Sequence, residues 1–251
     1  MNPKAHAPIF AALALSCLAA LHAQPVTRDR TLTPDEYMDI GLPAVDRPWA
    51  PQDYRSAMNV ILALDDNEIP RSGSRSAAVV DRMANPENLG LLLNRSLPLD
   101  QRVLASLEIM ESTNAIVKFY YAAQSANPAL ADDTMTLLGF LLQGTSAQLR
   151  LIDEFVPTLD STDPTYETRM AGLDGMKAGL AQIVQGVLVS LGEDHVYSEA
   201  ARAALAARVA ETYPAMQPML PPLARVEFDR LLKQMAEDAP EAGIRSALRG
   251  L

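Results

Sequence analysis

The residues with the strongest potential for chemistry surround His195, the only histidine after residue 22. It follows Glu193 and Asp194 in the segment LGEDHVYS, where Gly192 is a typical helix end and Ser198 a typical N-cap of the next helix. A histidine beside carboxylates can act as a general base, and any Ser-His-Asp catalysis in this chain would have to use it. The alternative is a solvent-exposed histidine in an acidic loop, and the absence of a nucleophile motif favours that alternative.

Paired carboxylates are the second group of candidates. Glu108 and Glu111 share one face of a predicted helix, the adjacent residues 132 and 133 are both aspartates at the start of another, and residues 153 and 154 are acidic near its end. Such pairs can bind divalent cations or cleave glycosides. Negative charge at a helix start also interacts favourably with the helix dipole. Spacing alone does not make two pairs converge, so we favour solvated charged faces.

Other cofactor and metal chemistry has little support in the sequence. After residue 23 there is no cysteine, which excludes thiolate sites, and one histidine excludes multi-histidine zinc sites and the paired Glu-x-x-His motifs of di-iron bundles. The chain has no phosphate loop, dinucleotide fingerprint or GxSxG elbow. We therefore expect no cofactor and no metal site.

Weak candidates for ligand binding lie on a helix predicted over residues 99–125. Its apolar residues form a heptad-like seam, interrupted by one polar member, Asn114; the apolar members are Val103, Leu107, Met110, Val117 and Tyr121. A polar residue in a seam can fix the register between helices, and it can alternatively hydrogen-bond a ligand inside the bundle; we favour the register role. The consecutive rings of Phe119, Tyr120 and Tyr121 cannot all face one way, so at least one lies on a second interface or a groove.

Four glycines lie within the helix predicted over residues 164–191. Gly172, Gly179 and Gly186 are seven residues apart, and Gly175 precedes Gly179 by four. Each interior glycine costs a helix up to about 1 kcal/mol relative to alanine, so four of them call for an explanation. We expect a neighbouring helix to approach closely there; space for a ligand at Gly175 and Gly179 is the alternative.

The elements that position these residues are predicted to be helices. Apolar residues three and four apart dominate the chain, and a capping residue directly precedes proline at residues 33–34, 85–86, 127–128 and 163–164. Three long helices are predicted over 99–125, 128–156 and 164–191, each about 40 Å long. Shorter helices are predicted over 34–39, 51–64, 76–84, 86–94, 199–212, 221–237 and 240–248. Because the connections between the long helices are short, these helices should run antiparallel.

The predicted fold is therefore all-α, an antiparallel helical bundle with three long central helices and shorter flanking ones. Residues 51–251 form a single domain in this prediction, preceded by an extended, proline-containing segment over 24–50. We expect residues 24–31 to be disordered, because they lack apolar periodicity.

The first 23 residues have the pattern of a secretory signal peptide. A polar start with Lys4 precedes an apolar run over 9–21, and Ala23 provides the small residue at which a signal peptidase would cut. The run is shorter than the roughly 20 residues of a membrane span. Cleavage after Ala23 would leave a periplasmic or secreted protein without a transmembrane segment. A lipoprotein signal at Cys17 is the alternative, but Ala14 fits poorly where such signals prefer a large aliphatic residue.

The charge of the chain limits its partners. There are 31 acidic against 21 basic residues, a formal net charge of −10. Such an acidic protein is poorly suited to nucleic acid or anionic membranes, whose binding needs clustered lysine and arginine. We expect a non-enzymatic binding or interaction module of the bacterial cell envelope, whose partner is an envelope protein or a small apolar ligand. The alternative is an envelope hydrolase that uses carboxylates or His195.

The signal peptide makes a direct prediction about the exported protein. Its intact mass should correspond to a chain that begins at Gln24, because Ala23 occupies the cleavage position. Mass spectrometry of the protein secreted from an expressing cell measures this. A mass that includes a diacylglyceryl group on Cys17 would show the lipoprotein alternative instead.

Overall fold

The computed structural model describes residues 32–251, and every regular element in this range is helical. The predicted signal peptide and residues 24–31 lie outside the described residues. The α-helices are α1 Pro34–Asp39, α2 Pro51–Ile61, α3 Ala77–Met83, α4 Gly90–Leu93, α5 Leu99–Ala123, α6 Ala131–Phe155, α7 Tyr166–Leu191, α8 Glu199–Met216, α9 Pro222–Asp238 and α10 Ala242–Leu248. The all-α bundle with three long helices is confirmed, since α5, α6 and α7 correspond to the three long predictions.

Local sequence explains where several helices begin. At the start of α1, Glu36 accepts a hydrogen bond from the Thr33 backbone N–H at 2.7 Å, which satisfies a free helix donor. The Asn85 side chain accepts from the Glu87 backbone N–H at 2.9 Å and begins a 3₁₀ turn. The Asp163 side chain accepts from the Thr165 N–H at 2.7 Å just before α7. The cap-and-proline pattern thus marks helix starts to within a few residues.

Helix α6 lies at the centre of the bundle and packs against α5, α7 and α8. Its buried residues occupy nearly every side of the helix, from Ala131 to Ile152. A helix that is buried on all sides must be covered by other helices. This requirement accounts for the arrangement of the three helices around it.

Residues 32–50 contribute to the same core. Tyr37, Leu42 and Trp49 are each at most 2% exposed. The Trp49 indole donates to the Ala44 carbonyl at 2.8 Å, and the Trp49 backbone N–H donates to Asn88 Oδ1 at 2.8 Å. This segment therefore packs on the helices that follow it and contains one short helix, α1.

Two buried arginines form similar helix corners. Arg102 is the fourth residue of α5 and Arg202 the fourth of α8. Arg102 donates to the Leu92 carbonyl at the end of α4 at 3.2 Å and to Glu154 of α6 at 2.6 Å.

Arg202 makes the corresponding contacts at the other corner. Its Nε donates to the Leu191 carbonyl at the end of α7 at 2.9 Å, and its Nη1 pairs with Glu241, which precedes α10. Each arginine therefore donates to a free carbonyl at the end of the preceding helix. Each also pairs with a glutamate that lies in a third helix or directly before it, and so links three helices at one helix corner.

The seam predicted on α5 is wrong in part. Its members Met110 and Val117 are buried, but Leu107 and Tyr121 are 41% exposed and Asn114 is only half-buried. Ile109 and Thr113, outside the seam, are completely buried. The apolar pattern misplaces the buried face because this face also includes polar residues, among them Thr113. Asn114 therefore does not occupy a buried seam, and its predicted register role is not supported.

The close helix approach predicted at the α7 glycines is also wrong. A Cβ atom on Gly172, Gly175, Gly179 or Gly186 would meet no atom within 4 Å among the described residues. The close approach lies instead at Gly144 of α6, where a Cβ would overlap the Met110 sulfur of α5. Nothing in the spacing of Gly144 and Met110 indicates this contact, although both residues belong to predicted long helices.

The two glycine environments predict opposite effects of alanine. Gly144→Ala should destabilise the protein by about 1–3 kcal/mol, because the new methyl group displaces the buried Met110 side chain. Gly179→Ala should stabilise it by up to about 1 kcal/mol, because the open helix position loses glycine's entropy cost. Chemical denaturation of both variants measures the difference. Equal effects of the two substitutions would contradict this assignment of the α5–α6 contact.

Candidate functional site

The predicted chemistry around His195 lies in the connection between α7 and α8, residues 192–198. Ser198 caps α8 by accepting from the Ala201 backbone N–H at 3.1 Å. Both the backbone N–H and the hydroxyl of Ser198 donate to Asp132, at 3.1 and 2.8 Å. The first turn of α6 therefore holds the end of this connection in place.

Asp133, the next residue of α6, holds a different loop. It accepts from the hydroxyl of Ser72 at 2.5 Å and from the Ser72 backbone N–H at 2.9 Å. Asp133 is 2% exposed, and burial raises the pKa of its carboxyl group. The expectation of a solvated acidic face is therefore wrong for this residue, because it is buried and hydrogen-bonded.

A cluster of aromatic and polar side chains covers one side of the connection. We define the tyrosine–glutamate cluster as Tyr121, Gln124, Glu193, His195 and Tyr197. Gln124 donates to the Tyr197 hydroxyl at 3.3 Å, and Tyr197 is 4% exposed. Three of these residues, Tyr121, Glu193 and His195, are candidates from the sequence.

Burial controls the ionisation of the cluster. It raises the pKa of Glu193, and the nearby charge of His195 opposes this shift. Burial also raises the pKa of Tyr121 and of Tyr197, and the negative charge of Glu193 raises both further. A carboxyl group whose pKa is raised by its surroundings can serve as a proton donor.

His195 is a solvent-exposed residue of an acidic loop, which is the alternative stated for it from the sequence. Its side chain is 80% exposed, and its Nδ1 lies 3.6 Å from Asp194 Oδ1. Within residues 32–251 no hydroxyl nucleophile hydrogen-bonds to His195. The geometry therefore gives His195 no partner for nucleophilic catalysis.

The remaining candidates lie away from this cluster. Tyr120 is completely buried and donates to the Pro70 carbonyl at 2.5 Å, so its ring belongs to the core. Gly175 and Gly179 lie on the exposed surface of α7, and Asn114 lies further along α5. Of the ligand candidates from the sequence, the cluster includes Tyr121 alone.

Sequence reasoning missed Gln124 and Tyr197. Gln124 Oε1 is buried and has no hydrogen-bond partner within residues 32–251. A buried acceptor of this kind is ordinarily satisfied by water or a ligand donor. A weak signal for Tyr197 exists in the sequence, because apolar residues directly before an N-cap often pack on the helix that follows.

A cleft lies on the other side of the connection, between the end of α7, α9 and α10. It has a volume of about 270 Å³ and includes Asp194 and Arg202 in its lining. The connection contributes Asp194 to this cleft and Glu193, His195 and Tyr197 to the tyrosine–glutamate cluster. A second groove of about 410 Å³ lies near the start of α2, where Arg47 pairs with Asp53 at 2.6 Å.

The other acidic pairs contact basic side chains. Glu108 lies 3.1 Å from Arg55, and Asp153 lies 2.7 Å from Lys177. The hydrogen bond from Arg102 holds the pKa of Glu154 below its usual range. Within the described part of the chain, no three histidine, aspartate or glutamate side chains are grouped so that they could hold a metal ion.

Comparison of the chain with protein-family models, curated proteins and solved structures finds no match. Among the helices of residues 32–251, none combines the length and the apolar character needed to cross a membrane.

Glu193→Gln tests the electrostatics of the cluster. Because burial raises the pKa of Glu193, the folded state binds its proton more tightly than the unfolded state. The free energy of unfolding should then fall as pH rises from the ordinary glutamate pKa through the raised value. The variant should be more stable than the wild type at pH 7, and the difference should vanish near pH 3.

Thermal melts across this pH range measure the effect. Glu111→Gln, at an exposed position of α5, is the matched control and should change stability equally at both pH values. A Glu193→Gln variant that is less stable at pH 7 would mean that the charged carboxylate is stabilised in the folded protein.

Proposed function

We propose that this chain is an exported, non-enzymatic interaction module of the bacterial cell envelope that docks a partner protein on α7. The observation that carries the proposal is an exposed apolar surface on the first half of this helix. We call this surface the α7 face and define it as Ala171, Gly172, Gly175, Met176 and Gly179, all of which are exposed.

The first half of α7 is apolar on a side that the rest of the chain leaves open. The buried residues of α7 all lie between Leu180 and Leu191, whereas residues 166–179 are exposed or only half-buried. Leu173 and the pair of Lys177 with Asp153 attach this half to the core and α6. Met176 is the large apolar side chain exposed on residues 166–179, and small residues surround it on the face. An exposed apolar side chain on an otherwise open helix surface is suited to contact with another protein.

The composition of the α7 face suits a helix as the partner. Three glycines present no side chain, so a partner backbone can approach the helix closely. Met176 is 40% exposed and can adapt its flexible thioether side chain to different apolar surfaces. An amphipathic partner helix would cover this face and recover the stabilisation that glycine costs α7.

The N-terminal sequence supports export as part of the proposal. Residues 1–23 have the order of charged, apolar and small-residue segments of a secretory signal. The chain after residue 23 has no cysteine, so it can form no disulfide bond in an oxidising compartment. The partner is then an envelope protein, and a small apolar ligand is the alternative occupant.

Site-specific crosslinking tests the α7 face. A photo-crosslinking amino acid at Gly179 should capture one discrete partner in intact cells, and Met176→Glu should abolish capture because it places a charge in an apolar contact. Leu104→Glu is the matched control, since Leu104 is a 66% exposed apolar residue on α5. It should leave capture unchanged.

Circular dichroism melts of both glutamate variants confirm that folding is retained, as expected for exposed positions. Equal loss of capture in both variants, or capture that Met176→Glu leaves intact, would overturn the proposal.

An envelope hydrolase is the second candidate, and the raised pKa of Glu193 beside Tyr121 favours it. In this function Glu193 would act as the general acid. The Glu193→Gln variant separates the two functions. A hydrolase would release soluble fragments from purified cell-wall material and lose that activity in the variant, whereas an interaction module would retain partner capture in the variant.

A further inference from the structure

We propose that the cleft between the end of α7, α9 and α10 is a separate binding site for a cationic peptide segment. Arg202 binds a backbone carbonyl of the peptide, and Asp194 and Asp238 bind its basic side chain. The site is distinct from the α7 face and goes beyond the function proposed for that face.

The walls of the cleft are largely apolar. They are formed by Leu191, Leu231, Met235, Ala239, Pro240 and Ile244. The cleft is partly open to solvent, so it can take a side chain whose backbone remains at the mouth. The aliphatic stem of a lysine or arginine side chain suits such walls.

Arg202 provides a hydrogen-bond donor in this lining. Its side chain is 3% exposed; Nε is bonded to the Leu191 carbonyl, and Nη1 is paired with Glu241. The third nitrogen, Nη2, makes no hydrogen bond within residues 32–251 and is accessible to solvent, whereas Glu241 Oε2 is buried there without a hydrogen-bond partner. An accessible guanidinium N–H can donate to a carbonyl oxygen. A ligand carbonyl in the cleft would accept from Nη2 in place of water.

The charges around the cleft favour a cation over an anion by a small excess. Glu241 balances the charge of Arg202. Arg245, which donates to two backbone carbonyls of the lining, adds one positive charge against the two carboxylates of Asp194 and Asp238. An anionic ligand would meet both carboxylates, whereas a neutral carbonyl can accept from Arg202 without this repulsion. A basic side chain next to that carbonyl would pair with the carboxylates. The net charge of −10 would also attract a basic segment over longer distances.

Gln234 adds specificity for a peptide backbone. It lines the cleft four residues before Asp238, so both side chains lie on one face of α9. A side-chain amide can both donate to a backbone carbonyl and accept from a backbone N–H. A peptide therefore satisfies the guanidinium, the amide and the carboxylates together, which a simple amine does not.

The test uses the purified protein and two capped peptides that differ in one residue. We expect acetyl-Leu-Lys-Leu-amide to shift backbone amide NMR signals of residues 192–198, α9 and α10, and acetyl-Leu-Glu-Leu-amide to leave them unchanged. The double variant Asp194→Asn with Asp238→Asn should weaken binding of the lysine peptide roughly tenfold, because two ion pairs are lost. Glu237→Gln, an exposed acid beside Asp238 outside the cleft lining, should bind it as the wild type does.

Three outcomes would overturn the proposal: signal changes outside the cleft, equal binding of the two peptides, or equal affinity of the double variant and the wild type. Met176→Glu should bind the lysine peptide normally, which distinguishes this site from the α7 face. Because the acidic residues lie in the lining and not in the core, their amide variants should keep the melting temperature within a few degrees of the wild type.

Discussion

A helix that buries residues on nearly every side has to be enclosed, and α6 imposes this requirement on the whole bundle. Helices α5, α7 and α8 pack against it, and Gly144 allows the Met110 side chain of α5 to lie directly on the α6 backbone. The first turn of α6 also holds two distant loops through hydrogen bonds from Ser72 and Ser198. The central helix thus determines both the packing of its neighbours and the position of the connection between α7 and α8.

The same requirement leaves part of α7 without a neighbour. Helix α6 is buried along nearly its whole length and has to be packed against other helices there. A helix that packs on α6, such as α7, has to be apolar only on the side that contacts α6. Helix α7 also contacts α8 and α9, and its buried residues lie only in its second half. An apolar helix surface therefore remains exposed at one end of the bundle, while the buried Arg202 and the acidic cleft lie at the opposite end of α7. The two proposed sites therefore lie at the two ends of α7.

The fold was largely predictable from the sequence, because capping residues and prolines act locally. Asn85 forms its predicted cap, Glu36 accepts from the Thr33 backbone N–H, and the long helices begin and end close to the expected residues. The buried faces were harder to predict, since they depend on which helices become neighbours. On α5, Thr113 is buried and Leu107 is exposed, the reverse of what polarity indicates. Glycine spacing on α7 likewise did not determine whether a neighbour was present. Of the candidate site, Glu193 and Tyr121 were recognisable as chemical groups, but Gln124 and Tyr197 join them through tertiary contacts.

The repeated arginine corner has a consequence for the conditions under which the bundle holds together. Mobile ions weaken attractions between charges in water, but they reach a pair poorly when protein surrounds it. The side chains of Arg202 and Glu241 are 3% and 14% exposed, and those of Arg102 and Glu154 are 6% and 30% exposed. Added salt should therefore weaken the corner between α7 and α8 less than the corner between α4 and α5, whose carboxylate is more open to water.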